Sequence, residues 1–208
     1  FIIYIGMAFA YGDAFVSMAD MKDGLLIENP VMNKIGFQTG DKILSIDGEK
    51  IEKYDNEINM KLIMGKQVQI ERNGAAQTIQ MPVDLVDQLS KLEKGPLVNI
   101  RMPFAVTAIP EESLNKQLQP KDVIVSMNGQ PAKYYDQVKA ILNANKGKTL
   151  PAVVIRNEKE VPVQVIVNQE AKLGIQMGSL GLESLEKLGY YKISKQEYGF
   201  FESIPVGI

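Results

Sequence analysis

Apolar residues recur along this chain at two spacings, and the spacing predicts the elements. Leu25-Leu26-Ile27 reads as a strand, ended by Asn29-Pro30, with a short helix from Val31 to Phe37 closed by Gly36. Lys42 to Ile46 is a strand with Ile43, Leu44 and Ile46 as its buried residues, followed by the tight-turn pair Asp47-Gly48. Tyr54, Ile58 and Leu62 recur at every fourth position and predict a helix over Tyr54 to Met64. Gln67 to Glu71 and Gln77 to Met81 are strands joined by Asn73-Gly74, a strong hairpin signal. Val83, Val86, Leu89 and Leu92 stripe a helix over Val83 to Lys94, stopped by Gly95-Pro96.

The second half repeats this order. Val98 to Ile100 and Val106 to Ile109 read as strands, Ser113 to Leu118 as a short helix, Val123 to Met127 as a strand and Asn128-Gly129 as its turn. Tyr134 to Asn143 is an amphipathic helix with Tyr135, Val138, Ile141 and Leu142 apolar. Ala152 to Ile155 and Val161 to Val167 form a hairpin around Asn157-Glu158, and Leu173-Gly174-Ile175 is a last short strand.

The repeat is also visible residue by residue. Gly40-Asp41-Lys42-Ile43-Leu44-Ser45-Ile46-Asp47-Gly48 returns as Lys121-Asp122-Val123-Ile124-Val125-Ser126-Met127-Asn128-Gly129, and Tyr54 falls opposite Tyr135. Two copies are too few for a solenoid, so each is expected to be a small domain with its own core. The boundaries expected are residues 15–83 for the first domain, 84–96 for a linker helix and 97–178 for the second, with flanks at 1–14 and 179–208.

Composition narrows the chemistry. Hydrophobic residues are 45% and charged residues 23% of the 208, the balance of a globular protein. The net charge of −2 comes with singly scattered Lys and Arg, so no basic stripe points to nucleic acid. There is no Cys and no His. Disulfides and thiolate chemistry are therefore excluded, and neither a typical catalytic zinc site nor a His-based triad can be built. No D-x-D-x-D-G spacing offers a calcium loop. The chain is expected to bind rather than catalyse, with no cofactor of its own.

The flanks differ in character from the repeats. Phe1 to Gly12 (FIIYIGMAFAYG) carries no charge. Twelve helical residues rise about 18 Å, too little to cross a hydrocarbon core of about 30 Å. The run is either a buried element of the first domain or, the reading preferred here, the outer end of a transmembrane helix over residues 1–14. Tyr198-Gly199-Phe200-Phe201-Glu202-Ser203-Ile204-Pro205 is aromatic and apolar with one acid. It suits a membrane interface as well as it suits a terminal helix docked on the second domain.

The strand, short helix, [GK]-D-x-[IV]-[LV]-S-[IM]-[DN]-G strand-turn, amphipathic helix and hairpin, met twice, resemble the PDZ domain in its bacterial, circularly permuted form. The resemblance implies an α+β, mainly β fold: two circularly permuted PDZ-like domains in tandem, joined by a short helix, with membrane-proximal flanks. It also implies a groove between a strand edge and a helix, where a peptide adds as a further strand. Two such units between membrane segments resemble the periplasmic region of the site-2 intramembrane zinc metalloproteases, the regulator-of-sigma-E protease family. That family carries an HExxH helix before the insert and an Asp motif after it, and neither motif occurs in these residues.

By that resemblance, the chain is a regulatory insert on the periplasmic side of a bacterial inner membrane, held to the membrane at both ends, with zinc in the parent enzyme. It would act as a size filter and as a docking surface for C-terminal or extended segments of membrane-protein substrates already trimmed by a first protease, anti-sigma factors among them. The alternatives are the PDZ pair of an HtrA-type periplasmic serine protease and a non-enzymatic peptide-binding adaptor. The peptide-binding residues expected are Val98, Asn99 and Ile100 as carboxylate loop and edge strand of the second unit, with Tyr135, Val138 and Leu142 on its helix. Phe15, Val16, Tyr54 and Ile58 are the counterparts in the first. The same apolar residues fit an ordinary core equally well. Asn99 stands where the family's Φ-G-Φ loop has Gly, Ala14-Phe15-Val16 has no Gly, and Lys121 replaces a turn Gly. These departures weaken the carboxylate capture expected of both units.

Overall fold

The computed structural model describes residues 13–55, 57–92 and 95–196. The expected transmembrane end at residues 1–12 and the aromatic tail from Tyr198 lie outside the described residues, while Asp13 and Ala14 open a strand. Among the described residues, no helix is long and apolar enough to cross a membrane. The fold is mainly β with few helices. Its described residues divide into two compact units, one running to residue 100 and taking in the segment from 185, the other spanning residues 101–184.

In the first unit, Asn29 starts helix α1 (Pro30–Ile35): its side chain accepts from the Val31 and Met32 N–H groups, and Gly36 at φ 118° ends the helix. Strands β2 (Lys42–Ile46), β3 (Glu49–Lys50), β5 (Gln67–Arg72) and β6 (Ala75–Gln80) form a sheet in the order β3-β2-β5-β6. Helix α2 (Ile58–Met64) buries Ile58 and Leu62, one turn apart, on that unit's core. A second sheet joins β1 (Asp13–Ser17) to β4 (Lys53–Tyr54) on one side and to β13 (Ile193–Gln196) on the other. The segment after residue 179, expected to be a connector, thus returns to pair with β1 in the register Phe15↔Ser194 and Val16↔Ile193.

The second unit holds β7 (Phe104–Ala108), β8 (Val123–Met127), β9 (Gln130–Pro131), β10 (Thr149–Arg156), β11 (Lys159–Ile166) and β12 (Gln176–Gly178). The main path is β11-β10-β8-β7-β12, so β12 ends the sheet. Its core gathers Phe104, Ile124 and Met127 from the sheet with Val138, Ile141 and Leu142 from the helix Tyr135–Ala144.

Several elements are shorter than periodicity predicts. The helix expected over Tyr54–Met64 begins at Ile58, because Lys53 and Tyr54 pair with β1 instead. The linker helix narrows to α3 (Leu85–Ser90). In label order the later helices are α4 (Tyr135–Ala144) and α5 (Leu182–Lys187). The short helix expected at Ser113–Leu118 does not form. Asn115, 2% exposed, instead donates to the Ile166 and Leu173 carbonyls at 2.9 and 2.7 Å and accepts from the Ile166 N–H at 2.7 Å. Three bonds to distant backbone outweigh the short helix, since leaving those buried groups unpaired costs about 1–3 kcal/mol each.

The duplication extends to individual hydrogen bonds. Asp41 and Asp122 are both fully buried. Asp41 binds Arg72 through two bonds of 2.7 Å and accepts from the Gln38 N–H at 2.8 Å, while Arg72 also donates to the Gly36 carbonyl. Asp122 binds Arg156 at 2.8 and 2.7 Å and accepts from the Gln119 N–H at 2.8 Å, while Arg156 donates to the Gln117 carbonyl. The turns match as well: Asp47 and Asn128 sit at φ 51° and 52°, Asn73 and Asn157 at 51° and 49°.

Candidate functional site

The residues expected to form one groove separate into two places. Val98, Asn99 and Ile100 belong to the first unit, not the second. Asn99 forms an isolated antiparallel bridge with Leu26, so this segment lies beside Leu25-Leu26-Ile27, which is expected as a strand and forms only this bridge. Val98 is 1% exposed, and its N–H donates to Asn59 Oδ1 on α2. The segment closes the first unit, where chain order had placed it at the start of the second. Tyr54, expected in the first groove, meets it directly: its hydroxyl donates to Asn99 Oδ1 at 3.1 Å. Burial pushes the Tyr54 phenol up from its ordinary value.

The other three first-unit candidates serve the core or a side cleft. Val16 and Ile58 are buried, at 4% and 1% exposure. Phe15, with Lys53 Nζ 5.7 Å from its ring centroid, shares with Ile58 the wall of a cleft of about 250 Å³ that also takes in Lys50, Glu52 and Asp55. This cleft is lined by charge of both signs, and Lys50 and Lys53 in its wall belong to the end strands β3 and β4.

In the second unit, Tyr135, Val138 and Leu142 lie on α4 as expected. Val138 and Leu142 are core residues, and Tyr135 stacks on Phe104 with ring centroids 5.9 Å apart. The helix start is fixed from both sides. The Tyr134 N–H donates to Gln137 Oε1 at 3.0 Å, and the Tyr135 N–H donates to the Met102 carbonyl at 2.8 Å. Arg101, stacked 4.2 Å over the Tyr134 ring, pairs with Asp136 at 2.6 Å.

The strand edge beside this helix comes from residues that were read only as a short strand. Leu173-Gly174-Ile175 is a loop leading into β12. Leu173 is buried and its carbonyl is held by Asn115, whereas Gly174 takes φ +62° with open space where a Cβ would stand. Ile175 packs on the same core as Tyr135. Among the described residues, no acceptor takes the Gly174 or Ile175 N–H. β12 pairs with β7 through Met177↔Val106, and among the described residues its other edge has no strand partner. Met177 is 45% exposed. The sequence did carry a signal for this loop: an apolar-Gly-apolar triplet after the second hairpin, the position that Leu97-Val98-Asn99 takes after the first.

Chemically, this edge offers backbone donors that are unpaired among the described residues, next to Ile175, which shares its core with Tyr135 of α4. That arrangement takes an extended chain through main-chain hydrogen bonds, with side chains set against α4. Among the described residues, no three potential metal-ligating side chains converge.

No family model matches the chain. Among solved structures, the PDZ domain of the SdrC-like protein from Listeria monocytogenes is similar at 14% identity, over 40% of this chain and 90% of that one, with a TM-score of 0.32. At that level the likeness carries no weight of its own, and the functional reading rests on the geometry of β12 and α4.

Proposed function

We propose that the chain is a peptide-holding region made of two PDZ-like units in circularly permuted order, and that its second unit takes the extended C-terminal end of another polypeptide along β12. The observation that carries this reading is the free outer edge of β12 beside α4, entered through Leu173-Gly174-Ile175 with two backbone N–H groups unclaimed. A carboxylate finds its donors there, and the added strand runs along Gln176 to Gly178. What supports the permuted order is that each unit is completed by a segment following its hairpin: Asn99 beside Leu26, and β12 beside β7.

The magnitudes place the affinity. One Leu-sized side chain buried against α4 contributes about 2 kcal/mol, and each net main-chain hydrogen bond about 1 kcal/mol. Ordering the peptide offsets part of this, so the dissociation constant is expected to be micromolar or weaker. Calorimetric titration of the chain with a hydrophobic peptide ending in a free carboxylate tests it. The same peptide with a C-terminal amide is expected to bind at least tenfold more weakly; equal binding of the two forms contradicts carboxylate capture.

On the scale of a longer protein, the reading is a regulatory region of a bacterial intramembrane zinc metalloprotease, on the periplasmic side of the inner membrane. What supports it is sequence: the uncharged run Phe1 to Gly12 and the aromatic Tyr198-Gly199-Phe200-Phe201 on either side of the repeats. Zinc belongs to the parent enzyme in this reading, since the chain offers neither His nor Cys. The pair would stand at the entrance to the protease, exclude bulky ectodomains and hold the newly made ends of trimmed substrates.

A further inference from the structure

The two units differ in what their closing segments leave open. In the first unit Asn99 gives both backbone groups to Leu26: the Leu26 N–H donates to the Asn99 carbonyl at 2.7 Å, and the Asn99 N–H donates to the Leu26 carbonyl at 2.9 Å. The backbone N–H groups on either side of Asn99 are those of Val98 and Ile100. Both are already taken. The Val98 N–H donates to Asn59 Oδ1 at 3.1 Å, and the Ile100 N–H to Asn99 Oδ1 at 2.8 Å. The Leu97 N–H also donates to Asn59 Oδ1, at 2.8 Å. The Tyr54 hydroxyl donates to the same Asn99 oxygen and ties it in place. One side-chain amide oxygen thus receives two consecutive backbone N–H groups, the arrangement that an anion's oxygen takes in a backbone nest.

In the second unit two consecutive backbone donors of the closing segment, Gly174 and Ile175, have no acceptor among the described residues. The helix explains the difference. Asn59 follows buried Ile58, with buried Leu62 one turn on, and Lys139 follows buried Val138, with buried Leu142 one turn on. A lysine side chain has donors and no acceptor. It cannot cap the loop as Asn59 does.

We infer that the first unit is closed by its own chain, with Asn59 standing in for the ligand's carboxylate, so that the tandem holds one polypeptide end and not two. A peptide entering the first unit would have to break the Asn59 and Asn99 hydrogen bonds to make its own, which removes the main-chain gain that drives strand addition. The location of the one open site rests on the peptide reading proposed above. The closure of the first unit does not, and the test separates the two.

Amide hydrogen exchange on the whole chain reads the closure without any peptide. The Leu97 and Val98 amides are expected to be protected, to exchange roughly tenfold faster or more in Asn59→Ala, and to stay protected in Asn59→Asp, which keeps the acceptor oxygen. Titration with the carboxylate-ended peptide then counts sites: one in the wild type and in Asn59→Asp, two in a folded Asn59→Ala. Fast exchange at Leu97 and Val98 in the wild type overturns the closure, as does peptide binding there in the wild type. A folded Asn59→Ala that gains no second site, while the second unit still binds, overturns it as well. If neither unit of the wild type binds although Leu97 and Val98 are protected, the peptide reading fails and the closure stands. Should Asn59→Ala not fold, the wild-type exchange pattern and the wild-type site count still decide the matter.

Discussion

Asp41 and Asp122 show how much a single buried charge fixes in each repeat. Each carboxylate is removed from solvent and holds a two-toothed arginine together with the backbone N–H three residues before it. Removing one leaves the arginine and that N–H without their acceptor, the expensive way to break a buried pair. Asp122→Ala is therefore expected to cost about 3 kcal/mol, the low end for a buried pair because the Arg156 side chain keeps 20% of its exposure and can recruit water. Chemical denaturation followed by circular dichroism checks this; a loss under about 1 kcal/mol would place the pair among surface ion pairs. The repeated Asp was legible in sequence, but its partner, 34 residues away in the second unit, was not identified as such. Local turns were far more legible. Asp47-Gly48 and Asn128-Gly129 took the left-handed conformation that their composition calls for, since that choice is made within two residues.

At the scale of elements, the strands and hairpins at the centre of each repeat lie where alternation places them, including β2 at Lys42–Ile46 and β8 at Val123–Met127. The short helix at Ser113–Leu118 and the early start of the helix at Tyr54 were lost to long-range bonds that periodicity does not report. The turn into β8 retains a trace of conflict. Lys121 sits at φ 77° where the first repeat has Gly40 at φ 103°, and its N–H keeps the bond to the Val106 carbonyl that Gly40 makes to Leu25. The left-handed conformation costs a non-glycine residue about 1–2 kcal/mol, and glycine gives back part of that through the entropy of the unfolded chain. Lys121→Gly is expected to stabilise the second unit by roughly 0.5 kcal/mol, read as a higher denaturant midpoint at unchanged m-value. A lower midpoint would mean that the lysine makes compensating contacts.

For the whole molecule, the chain divides into two compact units, and Val98-Asn99-Ile100, expected at the start of the second, falls in the first. A segment lying between two repeats reads equally well as the end of one or the start of the next. Only the bridge to Leu26 and the bonds from Asn59 assign it. The loop Leu173-Gly174-Ile175 went unrecognised for the same reason, as its role depends on lying at the end of a sheet beside α4. If the pair works as a filter in a longer protease, bulk matters more than affinity. Deleting residues 15–177 from the full-length enzyme is then expected to let it cut substrates that retain a folded ectodomain. A folded deletion variant that still cuts only the trimmed form would remove the filter role.

The central claim is that a polypeptide end is held at β12 and α4 of the second unit. The most direct measurement is the amide spectrum of the isotope-labelled chain during titration with a carboxylate-ended hydrophobic peptide. The account predicts that the largest shifts fall on Gly174, Ile175, Gln176 and Met177 and on the face of α4 carrying Tyr135, with Leu97 and Val98 unmoved. Shifts centred on Leu97 to Ile100, or scattered over both units without a focus at Gly174 and Ile175, would contradict it.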